Sequence, residues 1–374
     1  MQNIISIISV MNSVDDPRID RTKLHDLTDI LVISVCAAMC GMMGWEEIQA
    51  FGEEREEWFK KFLDLKNGIP SHDTFRRVFE RVDPKQLRTA LTAWTESLQQ
   101  NLEGKVVAID GKTLKGSCDS TKELAPLHLI SAWAAESNFV LGQCAVGDKE
   151  NEITKIPELL RMLELKGAIV TIDAMGCQKE IAKIIVNDKK ANYVFALKRN
   201  HPDLHSEVKS LFSLAEKHKQ IETDCWESTE KGHGRIESRQ CTCISAGPWL
   251  EHVCEGWTGL NTVAKVVSIR QCGEKTSEDA RYFISSLPVD AKEIARAVRL
   301  HWSIENTLHW SLDVVFKEDS IQIKKDNSPE NLAVIRKMAV SLAKQRTPKG
   351  MTTKRAMLRA LLSWDFANQH FLKD

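Results

Sequence analysis

Three carboxylates stand where they could do chemistry together. Asp110 closes the run Lys105-Val106-Val107-Ala108-Ile109, Asp173 closes Ala168-Ile169-Val170-Thr171-Ile172, and Glu305 sits in a helical stripe of mostly apolar residues. The two apolar runs, rich in branched side chains, read as strands buried on both sheet faces. Steps of three and four from Val298 through Trp302, Glu305, His309, Leu312 and Phe316 place Glu305 on one helix face. A lone carboxylate on a buried face is costly, and such groups are normally paired or bound to metal. If the helix packs beside the sheet so that the acids meet, their repulsion raises at least one pKa until a dication neutralises them. Hard oxygen donors with open positions favour Mg²⁺ or Mn²⁺, and two such ions support in-line phosphoryl transfer. Singly, an Asp after a strand is more often a turn residue; the three acids in this order point to a site.

The elements that would position them follow from the pattern of the chain. Residues 1–95 read as a helical N-terminal domain, with one buried helix around Ile30–Cys36 and another from Trp45 to Phe62. After a break at Lys66-Asn67-Gly68-Ile69-Pro70, Ser71 and Asp73 supply helix-start chemistry, and Phe75, Val78, Phe79 and Val82 repeat at helical spacing. Arg76, Arg77 and Arg81 lie off that stripe, so the helix could read DNA or merely present a solvated face, although the break exceeds a helix-turn-helix turn. From 96 to 374 the pattern becomes mixed. A strand at 106–110, a hairpin of 128–135 and 139–146, a helix at 152–165, a strand at 168–173, a helix at 178–187 and a strand at 193–197 predict a mixed α/β sheet. That order is the one found in ribonuclease-H-like folds. A β-rich insertion is expected at about 199–288, followed by helix from Ala291 through Phe316 and a basic helical C-terminal segment.

Composition sets limits. The 374 residues are 43% hydrophobic and 28% charged, which suits a folded chain with a sizeable core. Ten cysteines at irregular spacings read as reduced thiols in a cytoplasmic protein. The most apolar stretch, Ile30–Met43, is 14 residues long and suits a buried helix rather than a membrane span. A net charge of −1 gives no global support for nucleic-acid binding. Yet 11 Lys and Arg face only four acids between Lys317 and Arg359, which reads equally as a local basic surface or as a solvated helical one.

Set on those elements, the segments Ala108-Ile109-Asp110-Gly111-Lys112-Thr113, Thr171-Ile172-Asp173-Ala174 and His301-Trp302-Ser303-Ile304-Glu305-Asn306-Thr307-Leu308-His309-Trp310-Ser311-Leu312-Asp313-Val314 resemble the H-repeat-associated transposases. These are bacterial insertion-sequence proteins of the DDE type, often linked to Rhs elements. The resemblance covers nearly the whole chain, including Asp16-Pro17-Arg18, Gly68-Ile69-Pro70-Ser71-His72-Asp73-Thr74-Phe75 and Lys231-Gly232-His233-Gly234-Arg235-Ile236-Glu237. It implies an RNase H-like (integrase-like) core and a catalytic triad of Asp110, Asp173 and Glu305 holding two Mg²⁺ or Mn²⁺. The implied reaction is cleavage and strand transfer of double-stranded DNA at terminal inverted repeats and target sites. Synapsis of two ends implies a homodimer, nucleoid-associated when on DNA. Related transposases with a β insertion often carry Tyr and Arg seven and four residues before the Glu and Lys seven after it; here stand Val298, His301 and Leu312. His301 is expected to replace the arginine at the phosphate. The alternatives are a domesticated DNA-binding remnant without catalysis and an RNase H-like nuclease acting on other substrates.

Other signals are weaker. Gly111-Lys112-Thr113 lacks the first glycine of a phosphate-binding loop, so nucleotide hydrolysis is set aside, while Lys112 and Lys115 stay candidates for DNA phosphate contacts. Arg235 and Arg239, in an alternating stretch with His233 and Glu237, are candidates for flanking phosphates, against a solvated strand face. Trp302 and Trp310 are expected in the core. Cys241, Cys243, His252 and Cys254 fit no common zinc module.

Overall fold

The computed structural model describes residues 2–98, 101–118, 125–147, 150–218, 220–232 and 234–371. One nine-stranded sheet runs through it in the order β3-β2-β1-β4-β5-β9-β8-β7-β6. The strands are β1 (Val106–Thr113), β2 (His128–Ala134), β3 (Phe139–Val146), β4 (Ile169–Ile172), β5 (Asn192–Leu197), β6 (Asp224–Gly232), β7 (Arg235–Ser245), β8 (Thr262–Cys272) and β9 (Lys275–Ser285). Strand β1 lies in the middle of the site-bearing half. It pairs antiparallel with β2 and parallel with β4, and β4 pairs parallel with β5. Val106, Val107, Ala108 and Ile109 are at most 1% exposed, as a strand covered on both faces requires. Each such Val or Ile contributes roughly 1.5–3 kcal/mol through burial.

The region after β5, expected to be a β-rich insertion, carries the four strands β6 to β9 but also an unexpected helix. It opens with a helix, Pro202–Lys217, whose Leu204, Val208, Leu211 and Phe212 are buried at helical spacing. Its four strands then continue the same sheet, because β9 returns to pair antiparallel with β5 from Val194↔Ser285 to Leu197↔Tyr282. Hydrogen-bonded backbone therefore joins the extension to the sheet that carries the acids.

Helices cover the sheet. Leu27–Met39, capped by Asp26, is buried at every residue and packs on the helix Ser328–Arg346. The helix expected over Trp45–Phe62 is divided at Arg55 (φ −121°, ψ 12°) into Trp45–Glu54 and Glu56–Phe59. The basic residues of the C-terminal segment divide: Lys317, Lys325, Lys349, Lys354, Arg355 and Arg359 are exposed, whereas two on the helix Ser328–Arg346 are not. Every residue of Ser328–Ala343 except Glu330 is buried, and Arg336 and Lys337 are 3% and 2% exposed. Lys337 Nζ donates to Gln143 Oε1 at 2.6 Å, and Arg336 faces Glu318 at 3.9 Å. Those charges serve the interior. No helix among the described residues is long and apolar enough to cross a membrane.

Past β9, the helix Ala291–His301 starts at Asp290, whose carboxylate accepts from Glu293 N at 2.9 Å. The α-helix expected to reach Phe316 does not. Ile304–His309 and Ser311–Val315 are π-helical. With i→i+5 hydrogen bonds the faces rotate, so a stripe drawn at 3.6 residues per turn no longer marks one side. The buried residues are Ile304, Leu308, His309, Ser311 and Leu312, whereas Trp302, Glu305 and Trp310 point outward.

Candidate metal and catalytic centre

Parallel pairing puts the first two acids side by side. Ile109 is registered with Ile172, so Asp110 and Asp173, each the next residue, come side by side where the parallel pairing of β1 with β4 ends; β1 does not stop at Asp110 as expected but continues to Thr113 beside β2. Asp110 Oδ1 accepts from Gly111 N at 2.9 Å, leaving Oδ2 free of that bond. Asp173 Oδ1 accepts from Met175 N at 3.0 Å, fixing the turn after β4. An added Cβ at Gly111 would lie 2.2 Å from Glu152 Oε1 and 2.6 Å from His128 Nε2, so any larger residue would have to displace that hydrogen-bonded pair.

Glu305 reaches the same place from the first π-helical turn. Asp110, Asp173 and Glu305 line one cavity of about 480 Å³ together with Thr171, His301 and Trp302. Glu305 is not the buried acid expected from the stripe, for its side chain is 57% exposed, against 21% for Asp110. The cost of burial falls instead on Asp110, whose pKa is pushed up to about 7. Desolvation is the main cause, the charges of Glu305, Glu152 and Asp173 add to it, and the Gly111 N–H opposes it. Among the described residues no Lys or Arg forms an ion pair with any of the three acids.

His309 completes the constellation. It is 6% exposed, and its Nδ1 lies 3.8 Å from Asp110 Oδ2 and 3.9 Å from Glu305 Oε2. Donor atoms of Asp110, Glu305 and His309 all fall within 4.8 Å of one another, the one such group among the described residues. Burial, with Lys337 and Lys112 adding, lowers the imidazole pKa to about 3, so the ring is neutral. Its Nε2 is buried without a hydrogen-bond partner. Unneutralised acids, a neutral imidazole and an adjoining cavity suit a divalent cation.

The remaining sequence candidates are distributed differently. His301 donates or accepts at Thr171 Oγ1 (3.0 Å from its Nδ1), and burial lowers its pKa to about 4. It lines the cavity, and its burial works against a charge on the ring. Lys112 faces inward: its Nζ lies 2.7 Å from Asp313, 3.2 Å from Glu318 and 3.3 Å from Asp319, with the side chain 10% exposed. Burial works against its charge, but the three carboxylates outweigh it and raise its pKa. This ammonium is occupied and does not project to a phosphate. Lys115 is 80% exposed, with Asp319 at 3.6 Å.

Arg235 Nε pairs with Glu237 at 2.6 Å, and Arg239 pairs with Glu237 and, at 3.3 Å, with Glu230. Both line a second cavity of about 970 Å³ between the sheet extension and the helix Ala291–His301. It shares Arg281 and Trp302 with the acid cavity. His233 lies outside the described residues. Arg76 is held by Asp73 at 2.8 Å and Glu80 at 3.5 Å, whereas Arg77 is 63% exposed. The tryptophans expected in the core are at the surface, Trp302 41% and Trp310 53% exposed, and the Arg281 guanidinium lies 5.0 Å from the Trp302 ring centroid. Cys241 and Cys243 are buried with Sγ atoms 3.9 Å apart, and His252 faces Glu207 at 3.9 Å, so no zinc set forms there among the described residues. Sequence reading missed the partners of Lys112 because Asp313, Glu318 and Asp319 are some two hundred positions away; the only local signal was the acidic Glu318-Asp319 pair.

Comparison with known proteins gives a consistent picture. The model of a transposase DDE domain matches residues 101–342, and that of a DDE-transposase-associated region matches residues 8–95. Putative transposase YncI of Escherichia coli O157:H7 is 40% identical over 343 residues, spanning 91% of this chain and 87% of the relative. H repeat-associated putative transposase YhhI of Escherichia coli K12 is 39% identical over 323 residues, 85% of each chain. Among solved structures, a piggyBac transposase synaptic complex with hairpin DNA aligns with 99% of this chain and 79% of that one. Its identity is 11% and its TM-score 0.41, a likeness too distant to argue from.

Proposed function

The chain belongs to the DDE transposase family, among its H-repeat-associated members, and on that premise we propose that Asp110, Asp173 and Glu305 form the centre that cuts and rejoins DNA at insertion-sequence ends. The observation that carries this reading is the meeting of the three acids at one cavity, where burial, with the neighbouring acids adding, pushes Asp110 up to about 7. The strand order β3-β2-β1-β4-β5, with β2 antiparallel and β4 and β5 parallel to β1, supports assigning the core as RNase H-like.

Asp110 and Glu305 would hold one Mg²⁺ or Mn²⁺, and Asp173 with Asp110 a second. Bound there, the ions would activate a water or 3′-hydroxyl and stabilise the leaving oxygen of an in-line displacement. The chain's own part is positional. Gly111 N–H fixes one oxygen of Asp110, the Met175 N–H fixes Asp173, and the π-helical turn aims Glu305 at the sheet end. The larger cavity, lined by Arg235, Arg239, Arg270 and Arg281 and continuous with the acid site through Trp302, would carry the DNA flank. Exposed Lys115 and Arg77 are further phosphate contacts in this reading. Residues 1–95 are assigned to recognition of the terminal repeats and 96–374 to catalysis. Two ends brought together call for a homodimer.

The test is cleavage of DNA carrying the element's own terminal repeats, with Mg²⁺ supplied. Asp110→Asn is expected to bind those ends like wild type and to cut none of them. Full cleavage by the variant would defeat the assignment. Equal cleavage of unrelated DNA or of RNA–DNA hybrids by the wild type would favour a general nuclease.

A further inference from the structure

We propose that His309 is a direct nitrogen ligand of the ion held by Asp110 and Glu305, making that half of the centre an acid–acid–imidazole set selective for Mn²⁺ over Mg²⁺. The inference rests on the metal-dependent reading above and adds to it a donor that an all-carboxylate triad lacks.

The geometry is specific about which atoms meet. Gly111 N–H occupies Asp110 Oδ1, and the other oxygen, Oδ2, is the one 3.8 Å from His309 Nδ1. Glu305 Oε2 lies 3.9 Å from the same nitrogen. Both separations are too long for hydrogen bonds. They are nevertheless short of the ~4.2 Å that two donors on one ion can span with bonds of about 2.1 Å. The imidazole thus faces two carboxylate oxygens at the spacing of shared ligands, making a hydrogen bond with neither.

The ring has no other visible employment. It is 6% exposed, and its second nitrogen, Nε2, is buried without a partner. Leu308 and Leu312, both fully buried, flank it in sequence and anchor its segment in the core. Nδ1 bonds to neither carboxylate, so its lone pair is available to an ion while the proton of the neutral ring sits on Nε2. Asp173 stands outside the group of mutually close donors, so the two halves of the site differ chemically: one contains nitrogen, the other only oxygen. Mg²⁺ prefers oxygen donors, whereas imidazole suits the first-row transition ions, Mn²⁺ the least demanding among them. Removing the nitrogen should therefore weaken Mn²⁺ binding more than Mg²⁺ binding.

The experiment uses the full chain with Mn²⁺ alone as the probe, read by pulsed electron paramagnetic resonance and by titration. Wild type labelled with ¹⁵N-histidine should show a directly coordinated histidine nitrogen. His309→Gln should lose that coupling and about ten- to a hundred-fold of its Mn²⁺ affinity, with a few-fold change at most for Mg²⁺. Because the coupling is measured on wild type, misfolding of the variant would not decide the outcome. If Mn²⁺ binds in a manner abolished by Asp110→Asn but no histidine coupling is present, His309 is not a ligand and the carboxylate centre stands. If Asp110→Asn leaves Mn²⁺ binding unchanged, the metal assignment itself fails and this inference with it.

Discussion

Two groups of carboxylates flank one end of β1, and the chain treats them in opposite ways. Asp313, Glu318 and Asp319 surround Lys112, with Arg336 behind Glu318, so every acid in that group has a cation from within the chain. Two residues earlier on the same strand, Asp110 meets Glu305 and His309 and has none. Both groups are rich in carboxylates and each gathers about a residue of β1, which removes general acidity as the explanation. What differs is the adjoining cavity of about 480 Å³ on the Asp110 side. Where the fold needs only structure it supplies the counter-charge; where it leaves acids bare beside open space, the counter-charge must come from solution.

The sharpest break of this comparison is to remove one acid from each group. Asp110→Asn, Asp173→Asn and Glu305→Gln should each lower cleavage by about a thousand-fold or more, since several kcal/mol of transition-state stabilisation go with the ion. Without metal these variants should melt at or above the wild-type temperature, because each relieves repulsion. Mg²⁺ or Mn²⁺ should raise the wild-type melting temperature and leave Asp110→Asn unmoved. A clear loss of metal-free stability in all three would show that the bare acids are structural after all.

Lys112→Met is the converse. It strands three carboxylates around a side-chain position only 10% exposed, and should cost about 3–5 kcal/mol in denaturant unfolding. A loss below about 1 kcal/mol would mean that the second group is not neutralised from within. Asp29 sharpens the contrast from another direction, as a buried acid that lines neither of the two cavities described above. At 6% exposure its pKa is pushed up to about 6, chiefly by burial, with the Leu65 N–H at 3.3 Å opposing. A folded pKa raised above 3.8 means that stability falls as pH rises through the window up to about 6 and stays lost above it. Asp29→Asn, which keeps the acceptor for Leu65, should be more stable than wild type by up to about 3 kcal/mol at pH 7. The gain should vanish below about pH 4, and cleavage should be unchanged. A raised pKa alone is thus not the mark of a site.

How far the sequence reveals these arrangements depends on the range of the forces involved. The strands that carry Asp110 and Asp173 are legible because burial on both faces demands continuous branched residues, and β1 and β4 have them. The helix Pro202–Lys217 was equally legible from Leu204, Val208, Leu211 and Phe212 and was overlooked amid strand signals. The exposure of Trp302 follows from the preceding α-helix, whose buried face is Ala291, Ile294 and Ala297 rather than the stripe through Val298, and beyond it the π-helical turns from Ile304 onward break the 3.6-residue register at Glu305 without any Pro or Gly to announce it. The fate of Lys112 was not legible, since its partners arrive only by tertiary folding. The basic count of the C-terminal segment overstates its surface charge for a similar reason, because Arg336 and Lys337 find their partners in the interior while Lys349, Lys354, Arg355 and Arg359 stay exposed.

The smallest expected effect separates the two lysines of the β1 end. Lys112 has three carboxylates around it, whereas Lys115, only three residues on, is 80% exposed and sees one of them, Asp319, at 3.6 Å. A weak surface pair of that kind is readily given up to a phosphate. Lys115→Ala should therefore weaken binding of DNA ends a few-fold and reduce the slope of log affinity against log salt by about 0.9, with stability unchanged within about 0.5 kcal/mol. Lys112→Arg should do neither, since its charge already belongs to the fold. If instead the salt slope drops with Lys112→Arg and not with Lys115→Ala, the ion pairs around Lys112 must open on DNA, and the division between an internally neutralised group and a bare one would hold only for the DNA-free chain.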